Sequence, residues 1–421
     1  MNKLLPALTL AFVAQITLAQ GQPNYDESEV PELELTDLLT FNGKKVSTPK
    51  DWNENRRPEL YRFFEQHEYG QVPGVLDSIS FNRVESDDKA LNGTALRKQV
   101  VVSLFKNDKS LSFTILMYLP KNASAVPIFL GYNFYGNHTV TEDPNVIISK
   151  AWARNNKAFD ISDNTLTENS RGVRTSRWSI QKMIDSGFGF ATIYYGEIDP
   201  DKNDLTDGIH QLFYQQDQQH PKPNEWGSIS AWAFGLSRAL DYLETDKDID
   251  ASKVIAFGHS RLGKVSLWAA ASDQRFAGAI SNDSGCGGAA LSKRKFGETV
   301  GRINTSFPHW FSDNFKKYNN KEEDLPVDQH GLLALIAPRP LYVASAEDDQ
   351  WADPKGEFLS TYYATPVYDL FDKKGIPSDK MPEIHRPIHH TIGYHIRSGK
   401  HDVTDYDWSQ YIAWAKAQIE K

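Results

Sequence analysis

The chain carries a series of unbroken apolar runs at strand length, Ile128 to Leu130, Phe188 to Tyr194, Val254 to Phe257, Phe276 to Ile280 and Leu341 to Ala344, with helix-period stretches between them. Successive side chains of a strand point to opposite sides of a sheet, so a strand that is apolar at every position must be covered on both faces. The series Ile229, Trp232, Ala233, Leu236, Ala239, Leu240 and Leu243 has the three and four spacings of one apolar helix face, and it leads through Asp246-Lys247-Asp248 into Val254 to Phe257. This alternation predicts an α/β fold, a mostly parallel central sheet with helices on both faces. Ahead of it, Val100 to Phe105 and Leu111 to Leu119, separated by Asn107-Asp108-Lys109, predict a hairpin of strands. Leu60, Tyr61, Phe63 and Phe64 predict a helix from Pro58, ended by Gly70 and Pro73.

Residues 1–19 read as a secretory signal: Lys3, then an apolar run through Leu4, Leu5, Leu8, Leu10, Phe12 and Val13, then Thr17 and Ala19 spaced for cleavage. That run is too short to span a bilayer, and no later stretch approaches twenty apolar residues. The expectation is a secreted or periplasmic protein with no membrane span. Residues 20–57, polar and punctuated by proline, read as a lead-in arm, and residues 58–421 as one catalytic domain. A net charge of -9 argues against nucleic acid as the partner. The single cysteine, Cys286, rules out an intramolecular disulfide and cysteine-based metal sites. A monomer is expected.

The sharpest local signal is Gly258-His259-Ser260-Arg261-Leu262-Gly263-Lys264, directly after the strand Val254 to Phe257. A tight strand-to-helix turn forces its serine into a strained conformation that only small neighbours tolerate, and leaves Oγ exposed at the sheet's edge. Arg261 would open a helix whose first amides face the reacting carbonyl. The second glycine stands three residues past the serine, where two is usual.

Together with Ser281-Asn282-Asp283-Ser284-Gly285-Cys286-Gly287-Gly288-Ala289-Ala290, this turn resembles the glucuronoyl esterases of carbohydrate esterase family fifteen, especially the bacterial branch. Asn133-Phe134-Tyr135-Gly136-Asn137-His138-Thr139, Ala337-Pro338-Arg339-Pro340, Trp351-Ala352-Asp353-Pro354 and Gly399-Lys400-His401 extend the likeness from Pro58 to the carboxyl terminus. Fungal members carry disulfides near the site, which one cysteine excludes here. The resemblance implies an α/β-hydrolase fold.

Hydrolases of this fold order their triad as serine, acid, histidine. His401, just before the last amphipathic helix, stands where the base belongs; His389, His390 and His395 are its competitors. Asp349 lies beyond the strand Leu341 to Ala344, at the usual acid position, with Glu347 and Asp348 as neighbours. Asp283 follows Phe276 to Ile280, where many family members carry a glutamate. Either carboxylate could orient the imidazole and stabilise its charged form. Asp349 is favoured, with Asp283 auxiliary and a turn-capping aspartate as the plainer alternative for Asp283. A metal is not expected, since the histidines lack a tight ligand spacing.

The resemblance further implies that Arg261 supports the oxyanion, that Lys264 and Glu298 bind sugar hydroxyls and that Trp351 packs near the sugar. The implied reaction is cofactor-free acyl transfer on esters of 4-O-methyl-glucuronic acid, with glucuronoxylan or a lignin-carbohydrate ester as substrate. An acetyl-xylan esterase and a non-catalytic carbohydrate-binding protein on the same scaffold are the alternatives.

Overall fold

The computed structural model describes residues 22–419, so the expected signal segment, residues 1–19, lies outside the described residues. Two short strands, β1 (Thr40–Phe41) and β2 (Lys44–Lys45), pair as a small hairpin. The other strands among the described residues form one ten-stranded sheet. They are β3 (Ser78–Lys89), β4 (Ala95–Lys106), β5 (Lys109–Pro120), β6 (Val126–Asn133), β7 (Gly189–Tyr194), β8 (Ile249–His259), β9 (Gly278–Asn282), β10 (Leu341–Ala346), β11 (Ile388–His389) and β12 (Ile392–Arg397). Their spatial order is β11-β12-β10-β9-β8-β6-β7-β5-β4-β3. The block from β12 through β7 is parallel, and β3, β4 and β5 extend it as antiparallel strands.

The unbroken apolar runs became the central strands for the reason their composition implies. Ile128, Leu130, Val254, Ala256, Leu341 and Val343 enter one buried cluster, with the helices Ser228–Leu243 and Arg261–Ser272. Phe129, Ile255, Phe257, Tyr342 and Ala344 point the other way, onto Met183 and the final helix through Trp408 and Tyr411. The expected hairpin is β4 and β5, with Asn107 in the left-handed conformation that asparagine tolerates in a tight turn.

Two elements differ from the sequence expectation. The helix expected from Pro58 begins at Pro49, where Thr48 Oγ1 accepts from the Asp51 amide at 3.1 Å. A wider π turn over Trp52–Arg56 joins it to Arg57–His67. Proline lacks the N–H of an ordinary helical turn, and the π geometry lets the helix pass Pro58 without ending. The arm is anchored, with Leu38 and Val46 ahead of the helix and Trp52 in its π turn all buried in the larger cluster. The second difference is β3, largely exposed and polar, which pairs with β4 at the sheet edge. Its charges suit an edge, where apolar strands invite aggregation. No helix among the described residues is long and apolar enough to cross a membrane.

Candidate active site

The carboxyl ends of the parallel strands converge on one cleft, the usual place for a site in an open α/β sheet. β8 ends at His259 and the helix Arg261–Ser272 starts at once, which leaves Ser260 between them at φ 59° and ψ -132°. Such a conformation costs on the order of 1–3 kcal/mol and persists only where its surroundings enforce it. Here the Ser260 amide donates to Asn282 O at 2.8 Å, tying the turn to β9. A side chain at Gly258 would collide with the Leu262 carbonyl, so the first glycine is required by the turn itself. At Gly263 a Cβ would lie 2.9 Å from Ser284 Cβ and 3.0 Å from Ser281 Oγ. The second glycine thus stands at the point where the helix crosses the loop after β9, which accounts for its shifted spacing.

His401 follows β12, and its Nδ1 lies 2.6 Å from Asp349 Oδ2, after β10. Asp349 is buried while the imidazole is part exposed, so the carboxylate holds the ring from below and leaves its far side open to the cleft. The loop carrying His401 is clamped by Arg397. Its Nη1 donates to Ser398 O at 3.1 Å, and its Nη2 to Lys400 O at 3.1 Å and Asp402 O at 2.5 Å. Its Nε is anchored on buried Asp407, at 2.9 Å to Oδ2. The competitor histidines lie elsewhere: His395 is buried between Asp407 and Tyr342, His390 is bound to Gly375 O, and His389 sits on the edge strand β11.

Asp283, after β9, is fully buried, and among the described residues neither of its carboxyl oxygens has a hydrogen-bond partner. Burial, reinforced by Glu357 and Asp349, pushes its carboxyl well above the ordinary range, although Arg397 Nη2 stands 3.6 Å away. Asp283, Asp349 and His401 each offer an atom within 4.8 Å of the others. That closeness follows from two carboxyl groups meeting one imidazole, whose Nδ1 is already engaged by Asp349.

Ser260, Arg261, Lys264, Asp283, Glu298, Asp349, Trp351 and His401 all line this cleft, whose volume is about 310 Å³. Arg261 is held by Asp201 and faces Trp310 at 4.7 Å. Lys264 is not a solvated charge: it is buried, and its Nζ donates to the carbonyls of Ser284 and Cys286, the latter at 2.6 Å. Burial lowers its pKa and raises that of Glu298, while each charge favours the other's ionised form. Trp351 is 41% exposed, so it belongs to the cleft wall and not to the core. A larger cavity of about 620 Å³, lined by residues such as Phe296, Met381 and Ile384, contains none of these groups.

Several residues that shape the site carry no signal of their own in the sequence. His259 is buried inside the turn, bonded to Asn282 Oδ1 at 2.6 Å, and its ring lies 4.4 Å from that of His401. Burial first, then the neighbouring His401, lowers its pKa well below the ordinary value, so it is neutral. Glu357 accepts from the Ser284 and Gly285 amides at 2.7 and 3.0 Å and braces the cleft floor. Position inside the turn could have singled out His259, but Glu357 and Asp201 come from distant segments.

Fold and cleft together define an α/β-hydrolase of the carboxylic ester hydrolase class. A family model described as fungal glucuronyl esterase matches residues 175–372. The chain is 52% identical to carbohydrate esterase MZ0003 of an unknown prokaryotic organism, over 93% of this chain and 91% of that protein. It is 29% identical to a 4-O-methyl-glucuronoyl methylesterase of Hypocrea jecorina, over 77% of this chain and 59% of that protein. Among solved structures, a promiscuous family-fifteen esterase from a marine bacterial metagenome superimposes with a TM-score of 0.89 at 51% identity, covering 94% of this chain and 100% of that one. A glucuronoyl esterase from Solibacter usitatus gives 0.87 at 46% identity, covering 93% of this chain and 100% of that one. The chain belongs to carbohydrate esterase family fifteen, the glucuronoyl esterases.

Proposed function

We propose that the protein hydrolyses esters of 4-O-methyl-glucuronic acid, such as those joining glucuronoxylan to lignin alcohols, through an acyl-enzyme on Ser260. The observation that carries this reading is the 2.6 Å pair of His401 and Asp349 in a cleft that also holds Ser260, Arg261, Lys264 and Glu298. His401 takes the Ser260 proton as Oγ attacks the ester carbonyl, then gives it to the departing alcohol. Water activated by the same imidazole releases the uronic acid. Asp349 fixes the tautomer with the proton on Nδ1 and stabilises the imidazolium. Arg261 and the first amides of its helix meet the oxyanion. An ammonium has three donors, so Lys264 keeps one for a sugar hydroxyl after its two carbonyl bonds, with Glu298 as the acceptor beside it. Export through the amino-terminal segment suits an insoluble polymeric substrate, and a cleft built from one chain suits a monomer.

Rates on methyl and benzyl glucuronate against acetylated xylan test the reading. Turnover of the glucuronate esters is expected to exceed deacetylation clearly, and a preference for acetylated xylan would overturn it in favour of an acetyl-xylan esterase.

A further inference from the structure

Arg261 enters the cleft under restraint. Its Nη1 donates to Asp201 Oδ2, and the guanidinium lies 4.7 Å from the ring of Trp310 and 5.6 Å from those of Phe134 and Phe307. Asp201 follows β7 and its side chain is completely shielded from solvent. Its Oδ1 accepts from His309 Nε2 at 2.9 Å and Trp310 Nε1 at 2.8 Å, and its Oδ2 accepts from the Tyr195 hydroxyl at 3.1 Å. Half-exposed Arg154 places Nη2 3.6 Å from the same oxygen.

From this convergence we infer that Asp201 is the positioning residue for Arg261, holding the guanidinium at the place where the oxyanion forms. The inference rests on the reading that Arg261 acts at the oxyanion. A buried carboxylate is costly unless both oxygens are satisfied, and here they are. These neighbours, His309 and Arg261 foremost, hold the Asp201 carboxyl well below its ordinary range, so it stays ionised wherever the esterase works. Its charge is shared among the N–H groups of His309 and Trp310, the Tyr195 hydroxyl and a second arginine. Arg261 is therefore held in place by a carboxylate that it shares with other donors, and it lines the cleft beside Ser260. A donor fixed before the reaction needs no reorganisation when the negative charge appears, which is what makes such a donor effective. The aromatic rings close the other directions in which the long side chain could swing.

The test is a kinetic cycle on benzyl glucuronate with Asp201→Asn, Arg261→Ala and the double variant. Asp201→Asn is expected to lower kcat by roughly tenfold to a hundredfold with KM little changed, below the 10²–10³-fold ceiling for a lost oxyanion donor. In the Arg261→Ala background the same substitution should cost almost nothing further in kcat, with thermal unfolding of each variant as the control that the fold is kept. Tyr195→Phe, which removes only the hydroxyl donated to Asp201 and keeps the packing, should give a smaller fall in kcat that also vanishes without Arg261. An undiminished loss in the Arg261→Ala background would make Asp201 merely structural, and wild-type kcat in both Asp201→Asn and Tyr195→Phe would overturn the inference. If Arg261→Ala itself keeps wild-type kcat, the oxyanion reading fails, an outcome distinct from either of these.

Discussion

At the scale of single residues, the two carboxyl groups beside His401 are chemically unequal. Asp349 makes the 2.6 Å bond to Nδ1, whereas Asp283 has no hydrogen-bond partner among the described residues and is driven toward its neutral form by burial. A neutral acid cannot stabilise an imidazolium as a carboxylate does. Asp349→Asn is therefore expected to approach the roughly 10⁴-fold loss in kcat that follows neutralisation of a sole triad acid, and Asp283→Asn to cost far less. A reversed order in steady-state rates on benzyl glucuronate would make Asp283 the principal acid. Substitution at the two sugar-facing charges should separate substrates: Lys264→Ala and Glu298→Ala should each remove about 1–3 kcal/mol of transition-state binding for glucuronate esters. Small acetyl esters should be spared. Equal losses on both would mark the charges as structural, and the two carbonyls that hold Lys264 make its fold stability the necessary control.

At the scale of elements, legibility followed burial. β6, β8, β9 and β10 could be read from sequence because each carries a short run, Ile128 to Leu130, Val254 to Phe257, Gly278 to Ile280 and Leu341 to Ala344, that is apolar, aromatic or small and buried at every position. β12 could not, although all its residues are buried, because Ile392-Gly393-Tyr394-His395-Ile396-Arg397 contains a histidine and an arginine. Both are paired with Asp407, which lies on a later helix and which no local pattern connects to them. The same holds for the site: the turn around Ser260 is a local constraint and was visible, whereas Asp201 and Glu357 act through partners far along the chain. The docking of the arm was not legible because its three anchors, Leu38, Val46 and Trp52, are scattered among polar residues. Trp52→Ala is expected to destabilise the fold by about 3–5 kcal/mol, measured by denaturant unfolding. A change below about 1 kcal/mol would show that the arm is only loosely docked.

At the scale of the whole molecule, stability depends on buried acids as well as on the apolar clusters. Glu68 is buried against Gln329, and burial together with nearby Asp328 pushes its carboxyl up to about 8. An acid raised in the folded state contributes stability that is complete below its ordinary value near 4.5 and is lost as pH rises through about 8. Unfolding free energy of Glu68→Gln should thus improve relative to wild type between about pH 5 and 8, and a constant difference would mean that Glu68 is ionised throughout. The account of the catalytic cleft stands on Ser260 as the atom that receives the acyl group. Acid quenching of the enzyme during turnover of benzyl glucuronate, followed by intact-mass and peptide mass spectrometry, tests this directly. One glucuronoyl group on the peptide carrying Ser260, absent in Ser260→Ala together with all turnover, is the expected result; an adduct on another residue, or undiminished turnover by Ser260→Ala, would contradict it.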